Sequence, residues 1–179
     1  MYMMVTKKEA TFFADTTVAI EPTAEELAET AILTAQKAQQ FDFEPRVAML
    51  SFSNFGSAAH PLTAKVKRAT AMVKAQAPDL VVEGEMQANV ALDPDLVEKQ
   101  YPFSKLKGDA NVFIFPDLQS GNIAYKLLHK LGGAEQIGPI LMGMKKPVHV
   151  LQRGDAVADI INMAAVAVVD AQEYAANNK

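Results

Sequence analysis

Apolar and polar positions recur at two different spacings along this chain, and the switches between them mark out successive strand and helix units. Residues 11–18 (TFFADTTV) are dense in β-branched and aromatic side chains and predict a first strand. Pro22 opens a helix to about Gln40: Glu25 and Glu26 sit where the macrodipole favours acids, and Leu27, Ala31 and Ala35 recur on one face. Residues 46–50 (RVAML) predict a short apolar strand, followed by the polar stretch SFSNFGS and, after Pro61, a helix ending near Pro78. Residues 80–85 (LVVEGE) predict a third strand, with a weakly periodic helical segment over 94–100. Residues 111–115 (NVFIF) predict a buried strand that leads through FPDLQSGN into a helix over 123–131, stopped by Gly132-Gly133. The Gly/Pro-rich strip 132–147 reads as a connector or hairpin. A last strand is expected over 148–151, and then a long helix from Ala156 to about Ala175. That helix is apolar nearly all round from Ile160 to Val169, which predicts burial on more than one side.

This alternation predicts an α/β fold, a three-layer sandwich with a mostly parallel sheet. No repeat, low-complexity tract or Gly/Ser linker interrupts the 179 residues, so a single domain over 1–179 is expected. Composition agrees, because 50% hydrophobic and 21% charged residues place the chain among globular proteins and away from disordered ones. Zero Cys excludes disulfides, thiolate metal sites and cysteine nucleophiles, and none of the three His is paired at helical ligand spacing, so no metal is expected. The net charge of −4 disfavours nucleic acid and leaves room only for a local basic pocket. Lys7, Lys8 and Glu9 interrupt any leader-like run, and no later stretch reaches the ~20 apolar residues that span a bilayer. A cytoplasmic protein without a membrane partner is therefore expected.

In an open parallel sheet, ligands sit outside the carboxyl ends of the strands, which directs attention to the turns that follow them. Ser51, Ser53, Asn54, Gly56 and Ser57 offer hydroxyls, an amide and an approachable backbone, the chemistry of a phosphate cradle. The same residue types are also ordinary in loops, and neither the Walker A nor the G-x-G-x-x-G spacing is present. Glu83 and Glu85 share a face if both lie in a strand, where such a pair reads as a solvated edge. Asp117, Ser120 and Asn122 open a helix, as ligand groups or as plain capping. Arg153 is a donor fork suited to phosphate, and Asp159 is either a group that orients or deprotonates a nucleophile or a dipole partner of its helix. His60 is an acid/base candidate or an incidental loop residue. Met142 and Met144 read as filler, and Ile160, Met163, Ala164 and Val168 as core or a dimer seam, with core packing preferred.

Taken in order, ADTTV with PTAEELAE, EPRVAMLSFSNFGSA, APDLVVEGEMQ, KGDANVFIFPDLQSGNIAYKL, LGGAEQIGPILMG with KKPVHVL, and the RG and AVVDAQ segments near the end resemble the phosphate acetyl/butyryltransferase (phosphotransacetylase) family. The resemblance covers about residues 11–172. It implies a lobe like those of isocitrate and isopropylmalate dehydrogenases, and acetyl transfer between coenzyme A and phosphate in a cleft between two such lobes. Arg153 and Asp159 then match the family's active-site arginine and its proposed thiol-activating aspartate. Gln152 stands where active transferases usually carry serine, and SNFGS…HP stands where they tend to carry serine-threonine-lysine-glycine-serine. That form is similar to the phosphotransacetylase-like C-terminal domain of hybrid NADP-dependent malic enzymes. The resemblance therefore implies a regulatory domain that binds acetyl-CoA or a related phosphate metabolite, with NADP and a divalent metal only in an upstream domain. The alternative is the second lobe of a phosphate acetyltransferase, and an oligomerisation module with a vestigial cleft is a third reading. Under each the chain is half of a cleft, expected to lack appreciable transferase activity alone and to act as a homo-oligomer, a dimer or higher.

Overall fold

A computed structural model describes residues 1–177. Its elements are β1 (Tyr2–Val5), β2 (Ala10–Ala14), α1 (Ala24–Gln40), β3 (Arg46–Leu50), α2 (Pro61–Gln76), β4 (Val81–Met86), α3 (Ala88–Ala91), α4 (Pro94–Gln100), β5 (Val112–Ile114), α5 (Leu118–Gly132), β6 (Glu135–Ile137) and α6 (Val157–Asn177). The six strands form one sheet in the order β4-β3-β5-β2-β1-β6. β2, β5, β3 and β4 are mutually parallel, and β1 runs antiparallel to both β2 and β6.

The pleat sends alternate residues to opposite faces, and the core follows that period. Val47, Met49, Val112, Ile114, Phe12 and Ala14 face a cluster completed by α1, α2 and α6. Their neighbours Ala48, Leu50, Phe113 and Phe115 face a second cluster with Met86, Ala91 and Leu106, while Tyr2 and Met4 face a third with Tyr125 of α5. Helices thus cover both faces, giving the three-layer, mostly parallel arrangement. Near-continuous apolar strands such as RVAML are what two-sided burial requires. α1 is held at its start by a capping box, in which the Thr23 hydroxyl accepts from the Glu26 N–H and the Glu26 carboxylate accepts from the Thr23 N–H.

Five expectations change, the first being α5, which starts at Leu118 rather than residue 123 because Asp117 caps it there. β1 was not expected, and it adds the antiparallel part of the sheet. The first strand ends at Ala14 rather than residue 18, because the Asp15 carboxylate collects the N–H groups of Thr17, Val18 and Ala19 at 2.7, 3.2 and 2.7 Å and turns the chain out of the sheet. Residues 148–151 form no sheet strand; a single bridge joins Ile140 to His149, and the connector instead supplies β6. α6 buries Met163, Val166 and Asp170, whereas Val157, Ile160, Ile161, Ala164 and Val168 are exposed, so the multi-sided burial expected for it is absent.

The Met1 amine is buried and donates to the Ile140 carbonyl at 2.9 Å. Burial lowers its pKa from 8.0 to about 6, with the nearby Asp15 carboxylate opposing the shift. Between those values the unfolded chain binds more protons than the folded one, so this contribution is complete above the unfolded value and is lost as pH falls toward 6. Two units correspond to about 2.7 kcal/mol. Urea unfolding of this chain is expected to show stability rising by about 2 kcal/mol from pH 5.5 to 8.5, and a flat or falling profile would contradict this placement of the amine.

Candidate functional site

The parallel strands β2, β3, β4 and β5 deliver their following turns to one edge of the sheet. β3 leads into α2, which packs with α1, whereas the adjacent β5 leads into α5 on the other face. The crevice between such strands is the topological switch point, where ligands of open α/β sheets bind. A groove of about 840 Å³ lies there, lined by Ile20 and Pro22 from the β2–α1 loop, Leu62 and Lys65 from α2, and Asp117 and Asn122 at the start of α5. Another cavity, of about 270 Å³, lies away from this edge, beside the Lys37–Asp170 ion pair between α1 and α6.

The residues singled out in the sequence fall into three groups. In the first, Ser53, Gly56 and Glu85 form a closed knot. Glu85 Oε1 accepts from Ser53 Oγ at 3.0 Å and from the Gly56 N–H at 2.6 Å, and Glu85 is 1% exposed. Ser53 Oγ accepts from the Ala58 N–H, Ser57 Oγ accepts from the Asn54 N–H, and Asn54 Oδ1 accepts from the Gln87 N–H. Ser51 Oγ lies 3.4 Å from the Ser53 N–H. Two of the donors expected to cradle a phosphate, the Ser53 hydroxyl and the Gly56 N–H, are thus engaged by an internal carboxylate. Glu83 is also buried, on Lys74 at 2.6 Å and the Lys105 N–H at 3.1 Å, so the Glu83/Glu85 pair is no solvated edge. His60 caps α2, its Nδ1 accepting from the Leu62 N–H at 3.2 Å.

The second group surrounds the groove. Asp117 caps α5, accepting from the Ser120 N–H at 2.7 Å, and Ser120 Oγ returns to the Asp117 carbonyl. Asn122 Nδ2 donates to the Thr16 carbonyl at 3.2 Å, joining α5 to the loop that Asp15 organises. Lys65 donates to the carbonyls of Pro22 and Pro116 at 3.1 and 2.8 Å, linking the turns after β2 and β5. An ammonium carries three donors, so one remains for a ligand in the groove. Lys65 gave no signal in the sequence, since it is one of several lysines on an amphipathic helix. Asp15 had one, an acid ahead of Thr-Thr, the pattern of a side chain that gathers backbone N–H groups.

The third group is Gln152, Arg153 and Asp159. The Asp159 carboxylate accepts from the Ala156 N–H at 2.9 Å at the start of α6, the dipole-partner role. Gln152 Nε2 donates to the Tyr2 hydroxyl at 3.0 Å. Tyr2 pairs with Phe13 in the β1–β2 register, next to the last residue of β2, so Gln152 is tied to the strand that borders the end of β2. Burial, with Tyr125 beside it, pushes the Tyr2 phenol well above the ordinary phenol range, so it keeps its proton at neutral pH. Arg153 is exposed and its guanidinium has no partner among the described residues.

The phosphate acetyl/butaryl transferase profile matches residues 1–168. The chain belongs to that family. Phosphate acetyltransferase of Bacillus subtilis (strain 168) is 46% identical over 171 residues, covering 96% of this chain and 53% of that protein. NADP-dependent malic enzyme of Escherichia coli (strain K12) is 45% identical over 164 residues, covering 90% of this chain and 22% of that protein. A crystal structure of a phosphotransacetylase from Streptococcus pyogenes superposes with a TM-score of 0.92 at 44% identity, over 96% of this chain and 53% of that one. The chain therefore spans about half the length of the Bacillus transferase. Among the described residues no helix is long and apolar enough to cross a membrane, and no three His, Asp or Glu cluster as metal ligands.

Proposed function

We propose that this chain is one α/β lobe of a phosphate acetyltransferase site, which binds coenzyme A and phosphate and supports acetyl transfer between them once a second lobe closes the cleft. Family membership over residues 1–168 carries this reading. The unpartnered Arg153 fork supports it, because an exposed guanidinium presents paired N–H donors to phosphoryl oxygens. In this reading Arg153 receives phosphate, and Asp159 leaves the Ala156 N–H to take the proton of the incoming thiol. The knot around Ser51, Ser53, Asn54, Gly56 and Ser57 and the Asp117–Ser120–Asn122 cap shape the rest of the floor. With zero Cys in the chain, the thiol is supplied by coenzyme A. Acyl transfer also needs the nucleophile and oxyanion donors held at near-attack distance, a requirement a half-cleft open to water does not meet.

One observation favours a second reading, a regulatory lobe like that of the NADP-dependent malic enzyme relative. Gln152 occupies the position expected to hold serine, and its amide is engaged by Tyr2. In this second reading the lobe would bind acetyl-CoA as a signal. The exposed apolar positions of α6 support a homo-oligomer in either case.

Three calorimetric titrations and one assay separate these readings. The transferase lobe is expected to give saturable heat with CoA and with inorganic phosphate, and no acetyl-CoA above the buffer rate from acetyl phosphate and CoA. Heat with acetyl-CoA but none with phosphate would select the regulatory lobe, and no heat with any of them would reject both. Robust turnover lost in Arg153→Ala would show that this chain alone holds a complete catalytic set and would overturn the half-site account.

A further inference from the structure

Tyr2 joins the sheet to the turn that carries Arg153, and everything around its ring holds the phenol oxygen in one place. The ring stacks on Tyr125 of α5, with centroids 4.2 Å apart and planes 16° from parallel. On β6's side Gly138 closes over it: a Cβ at residue 138 would stand 2.6 Å from Tyr2 Cδ1, so only glycine permits the approach. Tyr2 is 3% exposed, and its hydroxyl accepts from Gln152 Nε2 at 3.0 Å. Gln152 in turn anchors a tight turn. Its N–H donates to Asp155 Oδ2 at 2.6 Å, and the Asp155 N–H donates back to the Gln152 carbonyl at 3.2 Å. Gly154 takes the left-handed conformation this turn needs, with φ of 88°. Arg153 is therefore displayed from a loop closed on itself and attached at one end to a buried, stacked aromatic ring.

We propose that Tyr2 is a positioning residue: by holding the Gln152 amide, its phenol oxygen presets the 152–155 turn so that the Arg153 guanidinium faces an incoming phosphoryl group. The inference rests on the reading of Arg153 as a phosphate-binding residue. A fork on a loose turn must be ordered at the moment of binding, and that ordering weakens the complex; the clasp completes it in advance. Gln152 thereby has a role that serine, with its shorter side chain, would not fill in the same way. Tyr2 touches no reacting atom and acts through Gln152.

The test is calorimetric titration of inorganic phosphate into the whole chain and into Tyr2→Phe, Gln152→Leu, the double variant, Arg153→Ala, and Tyr2→Phe combined with Arg153→Ala. Tyr2→Phe keeps the ring and its stack, and is expected to weaken phosphate binding by about 3- to 10-fold, the net loss of one hydrogen bond, with little change in melting temperature. Gln152→Leu is expected to match it, the double variant to lose no more than either single one, and Tyr2→Phe to add nothing to Arg153→Ala. A purely structural Tyr2 would instead lower the melting temperature in every background, with losses that add. Should Tyr2→Phe fail to fold, the exposed Gln152 reports the same clasp from its other side. Unchanged affinity in both Tyr2→Phe and Gln152→Leu, with Arg153→Ala still weakening binding, overturns the clasp and leaves the phosphate reading standing. Absence of phosphate binding in the parent, or full binding in Arg153→Ala, overturns that reading and the clasp with it.

Discussion

Glu85→Ala is expected to destabilise the chain by about 3 kcal/mol and to lower its melting temperature by roughly 6–12 °C, the largest effect of any single change at the ligand edge. The carboxylate lies at the end of β4 with 1% exposure, and it accepts from both Ser53 Oγ and the Gly56 N–H. Alanine leaves both donors without that acceptor and opens a void beneath the loop, and hydrogen bonds to a charged acceptor contribute about 1.5–3 kcal/mol each. Part of this is offset, because Glu85 Oε2 is buried without a partner and removing it relieves a desolvation cost. Glu85→Gln keeps an acceptor for both donors and is expected to lose less than half as much. Thermal unfolding of the two variants checks the ranking. A Glu85→Ala midpoint within 2 °C of the parent would mean that the knot does not organise residues 51–58.

Arg153→Ala is expected to do the reverse: little to stability and much to binding. The side chain is exposed and partnerless among the described residues, so its loss belongs to the class of surface changes within about 0.5 kcal/mol. A bidentate, charge-assisted contact to phosphate is worth about 1.5–3 kcal/mol, or roughly 10- to 100-fold in affinity. Calorimetry with inorganic phosphate and with CoA is expected to show that drop at an unchanged melting temperature. Equal isotherms for parent and variant would remove Arg153 from the site.

The two variants mark where the sequence was informative. β3 and α4 lie where the hydrophobic pattern put them, since a short apolar run bounded by turn residues and a Pro-initiated helix both carry local signals. β1 carried none. It is four residues long, Lys7 and Lys8 follow it closely, and its partner strand lies across a turn held by the Thr6 N–H on the Glu9 carbonyl. Residues 148–151 show the converse, an apolar run with strand propensity that finds no sheet edge and makes only one bridge. Polar residues were harder still. Glu85 reads as half of a solvated pair because a hydrogen bond over 29 residues leaves no mark in local spacing, whereas Asp15, an acid ahead of Thr-Thr, carries the local pattern of a side chain that gathers backbone N–H groups. Arg153 was legible through resemblance, whereas Tyr2, which reaches Gln152 across 150 positions, was not.

Ligands are expected to meet this lobe at the carboxyl edge of β2, β3 and β5, with Arg153 among the groups that touch them. Backbone amide chemical-shift mapping, with CoA and then inorganic phosphate titrated into the labelled chain, tests it most directly. Shifts are expected to gather at residues 15–22, 53–58, 117–123 and 152–159. Shifts confined to the cavity beside Lys37 and Asp170, or none at saturating ligand, would contradict it.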